Sequence, residues 1–282
     1  MTEALIRNVS DTARWVAAYR AWESSRPDAL FQDAFAADLA GERGQQIANT
    51  MRRRGGLTNG WPIITRTKIM DDYVSATIAD GCDCVLNLAA GLDSRPYRLE
   101  LPRSLVWIEV DLPELLEHKE HVLQDQSPRC QLERRASDLS DAAARRRLLD
   151  DVASNASQVL VITEGLLVYL EPDMAVALNQ ELYARDPLRW WVAEVASPGI
   201  LTRMQRGAGP QLASAPMKFA PSNGVAFFEE QGWTIRDLKS LFKEGARLKR
   251  VPWYMRPFAM LPDADPRNPG QRPYTAVLRL AR

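Results

Sequence analysis

The stretch Val85-Leu86-Asn87-Leu88-Ala89-Ala90-Gly91-Leu92-Asp93-Ser94-Arg95 decides the fold of this chain. It opens with a short apolar run, which is typical of a buried strand, and the small residues that follow let the backbone approach a ligand closely. Asp93 and Ser94 both suit the position that precedes a helix, and Pro96 suits the first helical turn. The stretch therefore predicts a buried strand, a tight turn and a helix, in that order.

Four further apolar runs follow along the chain and alternate with helical patterns. This alternation is typical of strands joined by crossover helices, and it predicts a mainly parallel sheet. We therefore expect an α/β fold with a doubly wound, Rossmann-like sheet. The predicted strands cover residues 85–88, 105–110, 132–134, 159–163 and 190–195, and the predicted helices between them cover residues 113–123, 141–152 and 172–184.

The N-terminal part of the chain has a different pattern. Large side chains such as Trp15, Tyr19 and Trp22 recur at the three-to-four-residue spacing of one helix face. The segments that follow, up to about residue 80, lack the alternation of a strand. The sequence therefore predicts a helical cap over residues 1–80.

After Pro198 the sequence becomes irregular and carries several glycines and prolines. A long connection of this composition predicts an insertion over the carboxyl edge of the sheet, the edge at which the parallel strands end. We expect a last helix at 235–242 and two late strands at 248–255 and 274–280. The whole chain is then one domain over residues 1–282, with the cap over 1–80, a cofactor-binding core over 81–198 and the insertion with the last elements over 199–282.

The bulk composition excludes several classes of partner. The chain has 36 basic and 36 acidic side chains, and this zero net charge predicts no nucleic-acid partner. Its apolar runs are far shorter than the roughly 20 residues that span a bilayer, and the N-terminal segment lacks the apolar core of a secretion signal. We expect a cytoplasmic protein that binds no membrane. Cys82-Asp83-Cys84 lacks the spacing of common zinc pairs, and we expect no metal.

Acidic residues follow three successive predicted strands. Asp111 ends the second strand, Asp138 follows the third and Glu164 follows the fourth, while Arg66 lies upstream. Ligands of open α/β sheets bind at this edge, and an acid about 20 residues past the first turn can accept both hydroxyls of a ribose. The three acids therefore predict a nucleotide-type site, with Asp111 at the ribose.

The number of glycines in the first turn separates two classes of cofactor. A dinucleotide requires a Gly-x-Gly-x-x-Gly turn around its pyrophosphate, whereas this turn contains only Gly91. S-adenosylmethionine has no phosphate and carries a sulfonium and an ammonium, so acidic groups and one basic residue for its carboxylate suit it. The site therefore favours S-adenosylmethionine. A nicotinamide-dependent oxidoreductase on the same architecture is the rival interpretation.

The motifs resemble those of the leucine carboxyl methyltransferase family, including its bacterial members linked to polyketide tailoring. The resemblance covers nearly the whole chain and is most specific in residues 87–95 and in Thr163-Glu164-Gly165-Leu166-Leu167-Val168-Tyr169-Leu170. It implies a class I methyltransferase fold, with methyl transfer from S-adenosylmethionine to an oxygen. One departure is Ala89, because many members have glycine there. Other matching segments are residues 12–15, 20–23, 109–113, 138–139 and 227–233, and Arg66 with Asp71.

The resemblance also implies how the cofactor is held. It assigns the methionine carboxylate to Arg66, the amino end to Glu164 and the methionine moiety to Gly91. It assigns the ribose to Asp111 and the adenine to residues 138–139. The cofactor-binding residues expected on this basis are Arg20, Arg66, Asn87, Ala89, Gly91, Asp111, Leu112, Asp138, Leu139, Glu164 and Gly165.

The methyl acceptor is predicted from the residues that could act as a base. Both histidines, His118 and His121, lie on the predicted helix after Asp111, away from the expected site. A carboxylate is already ionised at neutral pH and needs no base, so a small aromatic or polyketide-like carboxylic acid is the expected acceptor. Three alternatives remain: a phenol or enol hydroxyl, a protein C-terminal carboxylate, and a non-catalytic cofactor-binding module. We assign no catalytic residue; the candidates to face the substrate are Trp22, Trp61, Tyr169, Arg203 and Trp233, and we expect a monomer or homodimer.

Overall fold

The computed structural model describes residues 6, 8–53, 60–207 and 216–282. Its centre is a seven-stranded sheet with the order β3-β2-β1-β4-β5-β7-β6. Neighbouring strands are parallel from β3 to β5, and β7 runs antiparallel to both β5 and β6. The strands are β1 Cys84–Leu88, β2 Val106–Asp111, β3 Gln131–Ala136, β4 Val159–Thr163, β5 Leu188–Ala196, β6 Thr234–Ser240 and β7 Thr275–Ala281. The predicted doubly wound α/β sheet and its five core strands are confirmed.

Helices cover both faces of the sheet, so that every residue of β1 and β4 is buried, as expected for central parallel strands. The predicted core helices are confirmed, and the helical cap consists of α1, α2 and α3 among the described residues. The helices are α1 Val9–Ser24, α2 Ala36–Arg53, α3 Trp61–Ala79, α4 Arg95–Arg98, α5 Pro113–Leu123, α6 Ala142–Asn155, α7 Pro172–Tyr183, α8 Pro198–Gly207, α9 Ala226–Glu229 and α10 Leu241–Arg247, with short 3-10 helices at Leu167–Tyr169 and Arg256–Met260.

The cap lies against the carboxyl edge of the sheet. Ala13 of α1 lies over the first turn, because a Cβ built on Gly91 would be 3.5 Å from the Cβ of Ala13. Further along α1, the ring of Tyr19 packs so closely on Gly60 that a Cβ there would clash with it. The close packing at both points holds α1 between the first turn and the start of α3.

Two predictions for the C-terminal part are wrong. Residues 235–242 were expected to form a helix, but Thr234–Ser240 is the edge strand β6, with an irregularity between Ile235 and Asp237. An edge strand pairs on one side only, so its apolar residues need not alternate strictly. Residues 248–255 were expected to form a strand but form turns after α10, where Lys249 has a positive φ of 59°.

The predicted insertion begins with α8, and residues 208–215 lie outside the described part of the chain. The only late strand that matches its prediction is β7, predicted at 274–280 and found at Thr275–Ala281. Among the described residues, no helix combines the length and apolarity needed to cross a bilayer.

Candidate active site

The first turn leaves β1 in an unusual backbone conformation. Ala89 and Gly91 have φ values of 54° and 52°, in the left-handed region. The side chain of Asn87 donates to Asp93 at 2.8 Å, and Asp93 accepts from the backbone N–H of Arg95 at 2.9 Å. These bonds connect both ends of the turn, so the turn is held in a fixed shape against the cap.

We expect Ala89→Gly to stabilise the protein. The left-handed conformation costs alanine about 1–2 kcal/mol, whereas glycine adopts it freely and loses roughly 0.5–1 kcal/mol more entropy on folding. The free energy of unfolding should therefore rise by about 0.5–1 kcal/mol, measured by urea denaturation. Ala90→Gly is the matched control, because Ala90 has no positive φ and its replacement should destabilise the fold. An equal loss of stability in both variants would contradict the argument.

Asp111 lies at the end of β2, directly beside this turn. Its carboxylate accepts from the backbone N–H groups of Gly91 and Leu112, both at 2.7 Å. The side chain is buried, and burial raises the pKa of its carboxyl despite these two bonds. No ion pair of Asp111 occurs within the described part of the chain. A buried carboxylate of this kind retains acceptor capacity for two hydroxyl donors, which fits a ribose.

The residues assigned to the adenine follow at the same edge. Asp138 is exposed and accepts from the backbone N–H of Ser140 at 2.8 Å, and Leu139 is half-buried against the core. Leu112 is a large apolar side chain that stays 44% exposed. The structure thus places an acceptor and two apolar side chains beyond Asp111, an arrangement that fits a purine base.

Arg66 of α3 lies between two acids. Its Nε donates to Glu164 at 3.0 Å, and its Nη1 donates to both carboxylate oxygens of Glu194 at 3.2 Å. Among the described residues, Nη2 has no acceptor, which leaves a donor for a ligand carboxylate. Gly165 lies beside this guanidinium with a φ of 67°, which glycine adopts without strain, and a Cβ there would be in ordinary contact with Nη1 of Arg66 at 3.6 Å.

Sequence reasoning did not identify Glu194. It lies in β5 within the apolar run Trp191-Val192-Ala193-Glu194-Val195, and a single acid inside a buried strand is the signal that could have identified it. Burial raises the pKa of the Glu194 carboxyl even though Arg66 opposes the shift. For Glu164 the balance is reversed: burial disfavours its charged form, but Arg95 and Arg66 outweigh burial, and its pKa is lowered.

A buried cluster of ion pairs contacts Glu164 and the first turn. Arg95 is 2% exposed and contacts Asp71, Asp93 and Glu164 at 2.7, 2.7 and 2.8 Å. Arg98 makes a two-pronged pair with Asp71, both contacts at 2.7 Å. The cluster connects the cap helix α3, the first turn and the residue after β4. The position of Glu164 is therefore determined by the same residues that hold the first turn.

Arg20, which the resemblance assigned to the cofactor, contacts the first turn. Its guanidinium donates to Asp33 at 2.8 Å and to the carbonyl of Leu92 at 2.5 Å. Ser94 also donates to Asp33, at 2.6 Å. Burial disfavours the charged form of Asp33, but Arg20 and Arg98 outweigh it and lower the pKa of that carboxyl. Arg20 thus affects the site by holding the turn.

The residues predicted to face the substrate do not form one group. Tyr169 is half-buried near Glu164 and packs on an apolar cluster of the cap. Trp22 and Trp61 lie together in a separate cavity, and Arg203 is exposed on α8. The assignment of Trp233 to the substrate is wrong, because it is 2% exposed in the core, 5.8 Å from Trp191, and donates to Asn179.

The described residues fit S-adenosylmethionine. Asp111 provides the acceptor for ribose hydroxyls, and the turn at Gly91 is small enough for close approach. Arg66 has a donor for a carboxylate, and Glu164 is an ionised acceptor for an ammonium. Nothing in the turn resembles the multi-glycine cradle that a pyrophosphate requires.

Named relatives are S-adenosylmethionine-dependent enzymes, and a solved structure shares the fold. A Rhodococcus jostii protein, named provisionally an S-adenosyl-L-methionine-dependent methyltransferase, is 31% identical over 264 residues, covering 88% of this chain and 82% of the relative. A Streptomyces coelicolor protein of the same provisional name is also 31% identical, covering 90% of each chain. A crystal structure of a provisional methyltransferase from Thermobifida fusca has a TM-score of 0.55 at 18% identity, covering 88% of this chain and 92% of that one, which shows the shared fold.

The fold, the site and the relatives define the protein as an S-adenosylmethionine-dependent methyltransferase of class I. The rival interpretation as a nicotinamide-dependent oxidoreductase is therefore wrong. The model of the family described as leucine carboxyl methyltransferase matches residues 13–182, which is more than half of the chain. The chain belongs to the leucine carboxyl methyltransferase family.

Proposed function

We propose that this enzyme methylates a carboxylate oxygen of a small aromatic or polyketide-like metabolite. The observation that carries this proposal is the charge state of the groups at the end of β4. Glu164 is ionised and paired with Arg66 and Arg95, and its lowered pKa makes it a weak base. An acceptor that arrives ionised needs no proton removed, and a carboxylate meets that condition at neutral pH.

The other candidate bases support the same choice. His118 lies on α5 and contacts Arg14 at 2.9 Å and the carbonyl of Leu39 at 3.2 Å, so it belongs to the packing of the cap. Burial lowers its pKa, and it is mainly neutral at pH 7. Burial raises the pKa of the Tyr169 phenol, which therefore stays protonated and can donate a hydrogen bond to an acceptor carboxylate.

The surroundings of Tyr169 support an apolar acceptor. Ile6 and Ile47 of the cap are fully buried, and Tyr169 packs against this pair together with Trp15, Met51 and Met204. The cluster places apolar side chains around Tyr169, six residues after the end of β4. Apolar side chains of this kind exclude water, and a planar apolar ring of the acceptor would pack against them.

The chain's own residues position the reactants. S-adenosylmethionine supplies an electrophilic methyl group on its sulfonium. Arg66 and Glu164 would bind the charged ends of the methionine portion and Asp111 would bind the ribose, so that the cofactor would be held at both ends. Holding the acceptor oxygen in line at about 3–3.5 Å can lower the barrier to transfer by up to about 7–11 kcal/mol.

One observation favours a second candidate, a phenol or enol hydroxyl. The raised pKa of Glu194 makes its carboxylate a better base than Glu164, and it lies at the same strand ends. Arg66 holds both oxygens of Glu194, however, so proton transfer would require that pair to open. We therefore rank the hydroxyl acceptor second.

A methyl-transfer assay separates these acceptors. The enzyme is incubated with S-adenosylmethionine carrying a tritiated methyl group and with matched pairs of aromatic carboxylic acids and phenols, followed by mild base. We expect label on the carboxylic acids and its release as methanol, because an ester hydrolyses and an ether does not. A base-stable product made only from the phenols would overturn the proposal in favour of the hydroxyl acceptor.

Two further arms of the assay address the remaining alternatives. Label on a peptide C-terminus, and on none of the small acids, would indicate a protein substrate. Cofactor binding without transfer to any acceptor would indicate a binding module. We further propose that the enzyme acts in the cytoplasm as a monomer or homodimer, on a small molecule, and binds neither nucleic acid nor a membrane; the zero net charge supports the absence of nucleic acid.

A further inference from the structure

A second cavity lies between the end of α1, the start of α3 and the segment 248–256. Its volume is about 410 Å³, and it is lined by Trp22, Trp61, Trp253 and Tyr254 together with basic side chains. This volume is within the range of small-molecule sites in proteins. The walls of the cavity are mainly aromatic and basic.

The cavity is separate from the cofactor residues. Ala13 of α1 lies over Gly91, and Trp22 is nine residues further along the same helix. Nine residues of α-helix span about 13 Å. A small ligand beside Trp22 would therefore lie about 13 Å along α1 from the contact with Gly91.

The cavity has an excess of positive charge. Four basic residues line it, and no acidic residue does. Two of them, Arg26 and Arg250, are compensated by Glu23 and Asp28 in ion pairs of 2.7 to 3.6 Å. The other two are Lys249 and Arg256. Among the described residues, neither Lys249 nor Arg256 forms an ion pair with an acidic side chain. The guanidinium of Arg256 donates only to backbone carbonyls.

Lys249 is held in a costly conformation. Its φ of 59° lies in the left-handed region, which glycine or asparagine would occupy with less strain. The backbone N–H of the next residue, Arg250, donates to the carbonyl of Gly245 at 2.8 Å and closes the end of α10. Lys249 is exposed and lines the cavity. A left-handed residue at this point is a common way to end a helix, and here it places Lys249 in the wall of the cavity.

The aromatic wall is also exposed. Trp253 is 77% exposed and Tyr254 61%, although the apolar area of such rings favours burial. The two rings pack edge to face at 6.1 Å, so they form a shared surface. Trp22 also lines the cavity, and Arg26 and Arg52 lie over its ring at 5.6 and 5.5 Å. An aromatic ligand in the cavity would contact the exposed rings of Trp253 and Tyr254 and the basic side chains that line it.

We propose that this cavity is a second binding site, for an aromatic organic anion such as an aromatic carboxylic or sulfonic acid. Trp253 and Tyr254 would cover its ring, and Lys249 with Arg256 would bind its acidic group. The site operates independently of the cofactor. No bond is made or broken there.

The test uses 1-anilinonaphthalene-8-sulfonate, an aromatic anion whose fluorescence rises on binding, with saturating S-adenosylhomocysteine present to fill the cofactor site. We expect saturable binding of one probe molecule per chain. The probe should be displaced by 2-naphthoate and not by uncharged 2-naphthalenemethanol. Displacement by the neutral alcohol as readily as by naphthoate would overturn the assignment of an anion site. Competition between probe and S-adenosylhomocysteine would show that the two sites are one, and would overturn the proposal as well.

Four variants locate the bound probe. Lys249→Asn removes the charge at a position where asparagine tolerates the backbone, and should weaken probe binding about fivefold. Trp253→Ala removes an exposed ring and should weaken binding about tenfold. The matched controls are Lys243→Asn and Phe258→Ala, because both residues are exposed and neither lines the cavity. Equal effects in the variants and their controls would show that the probe binds elsewhere.

Discussion

Asp111→Ala is expected to weaken the binding of S-adenosylhomocysteine about 100-fold, because two hydrogen bonds to a buried carboxylate are worth about 1.5–3 kcal/mol each before partial compensation by water. In the protein, this carboxylate already accepts from the backbone N–H groups of Gly91 and Leu112, which fix its orientation. Isothermal titration calorimetry measures the loss directly.

Two controls make this result specific. Glu117→Ala removes an exposed acid from α5, the helix that follows Asp111, and should leave the affinity unchanged. Thermal unfolding of Asp111→Ala shows whether the first turn has kept its structure. An affinity within a few-fold of the parent enzyme, in a variant that unfolds normally, would mean that Asp111 does not bind the ribose.

Arg95→Met is expected to lower the free energy of unfolding by about 3–5 kcal/mol, which is the usual cost of leaving buried charges without their partner. Arg95 is 2% exposed, and its removal leaves Asp71, Asp93 and Glu164 in the protein interior with less compensating charge. Urea denaturation at pH 7 measures the effect. Arg135→Met is the control: it breaks ion pairs to Glu133 and Asp151, whose side chains are half exposed, and should cost less than about 1 kcal/mol.

The pH dependence of the free energy of unfolding is a second, independent measurement of this ionic cluster. In the parent protein burial opposes the charged form of Asp93, but Arg95 outweighs it and holds the pKa of the carboxyl well below its usual value. Such a group stabilises the fold above the pKa of the unfolded chain, near 4, and that contribution disappears as the pH falls further towards the folded value.

In Arg95→Met the free energy of unfolding should instead rise as the pH falls. Carboxyls buried without a cation take up protons more readily in the folded state than in the unfolded chain. The difference in free energy of unfolding between variant and parent should therefore become smaller as the pH falls from 7 to about 4. If the difference in free energy of unfolding stays constant over this range, the variant loses stability through packing and not through charge.

The core of the fold could be predicted because each element carried its own local signal. The apolar runs that became β1, β2, β4 and β5 are buried on both faces, so nearly every residue in them must be apolar. The edge strand β6 has no such requirement, since only one side of it pairs, and its Ile235 and Leu238, with Phe242 of α10, are compatible with helical spacing. Its structure depends on pairing with β7, a contact that no local pattern reveals.

The sequence by itself determined the α/β fold, the first turn and the class of cofactor, because a turn with one glycine and acids at three strand ends is a local property of the chain. Only the tertiary structure decided which charges act on one another. Glu194 joins Arg66 across 128 residues, Arg95 connects the cap to β4 through Asp71 and Glu164, and Trp233 lies in the core. The physical reason is that ion pairs and burial depend on distances in the folded protein, which the spacing of residues along the chain does not specify.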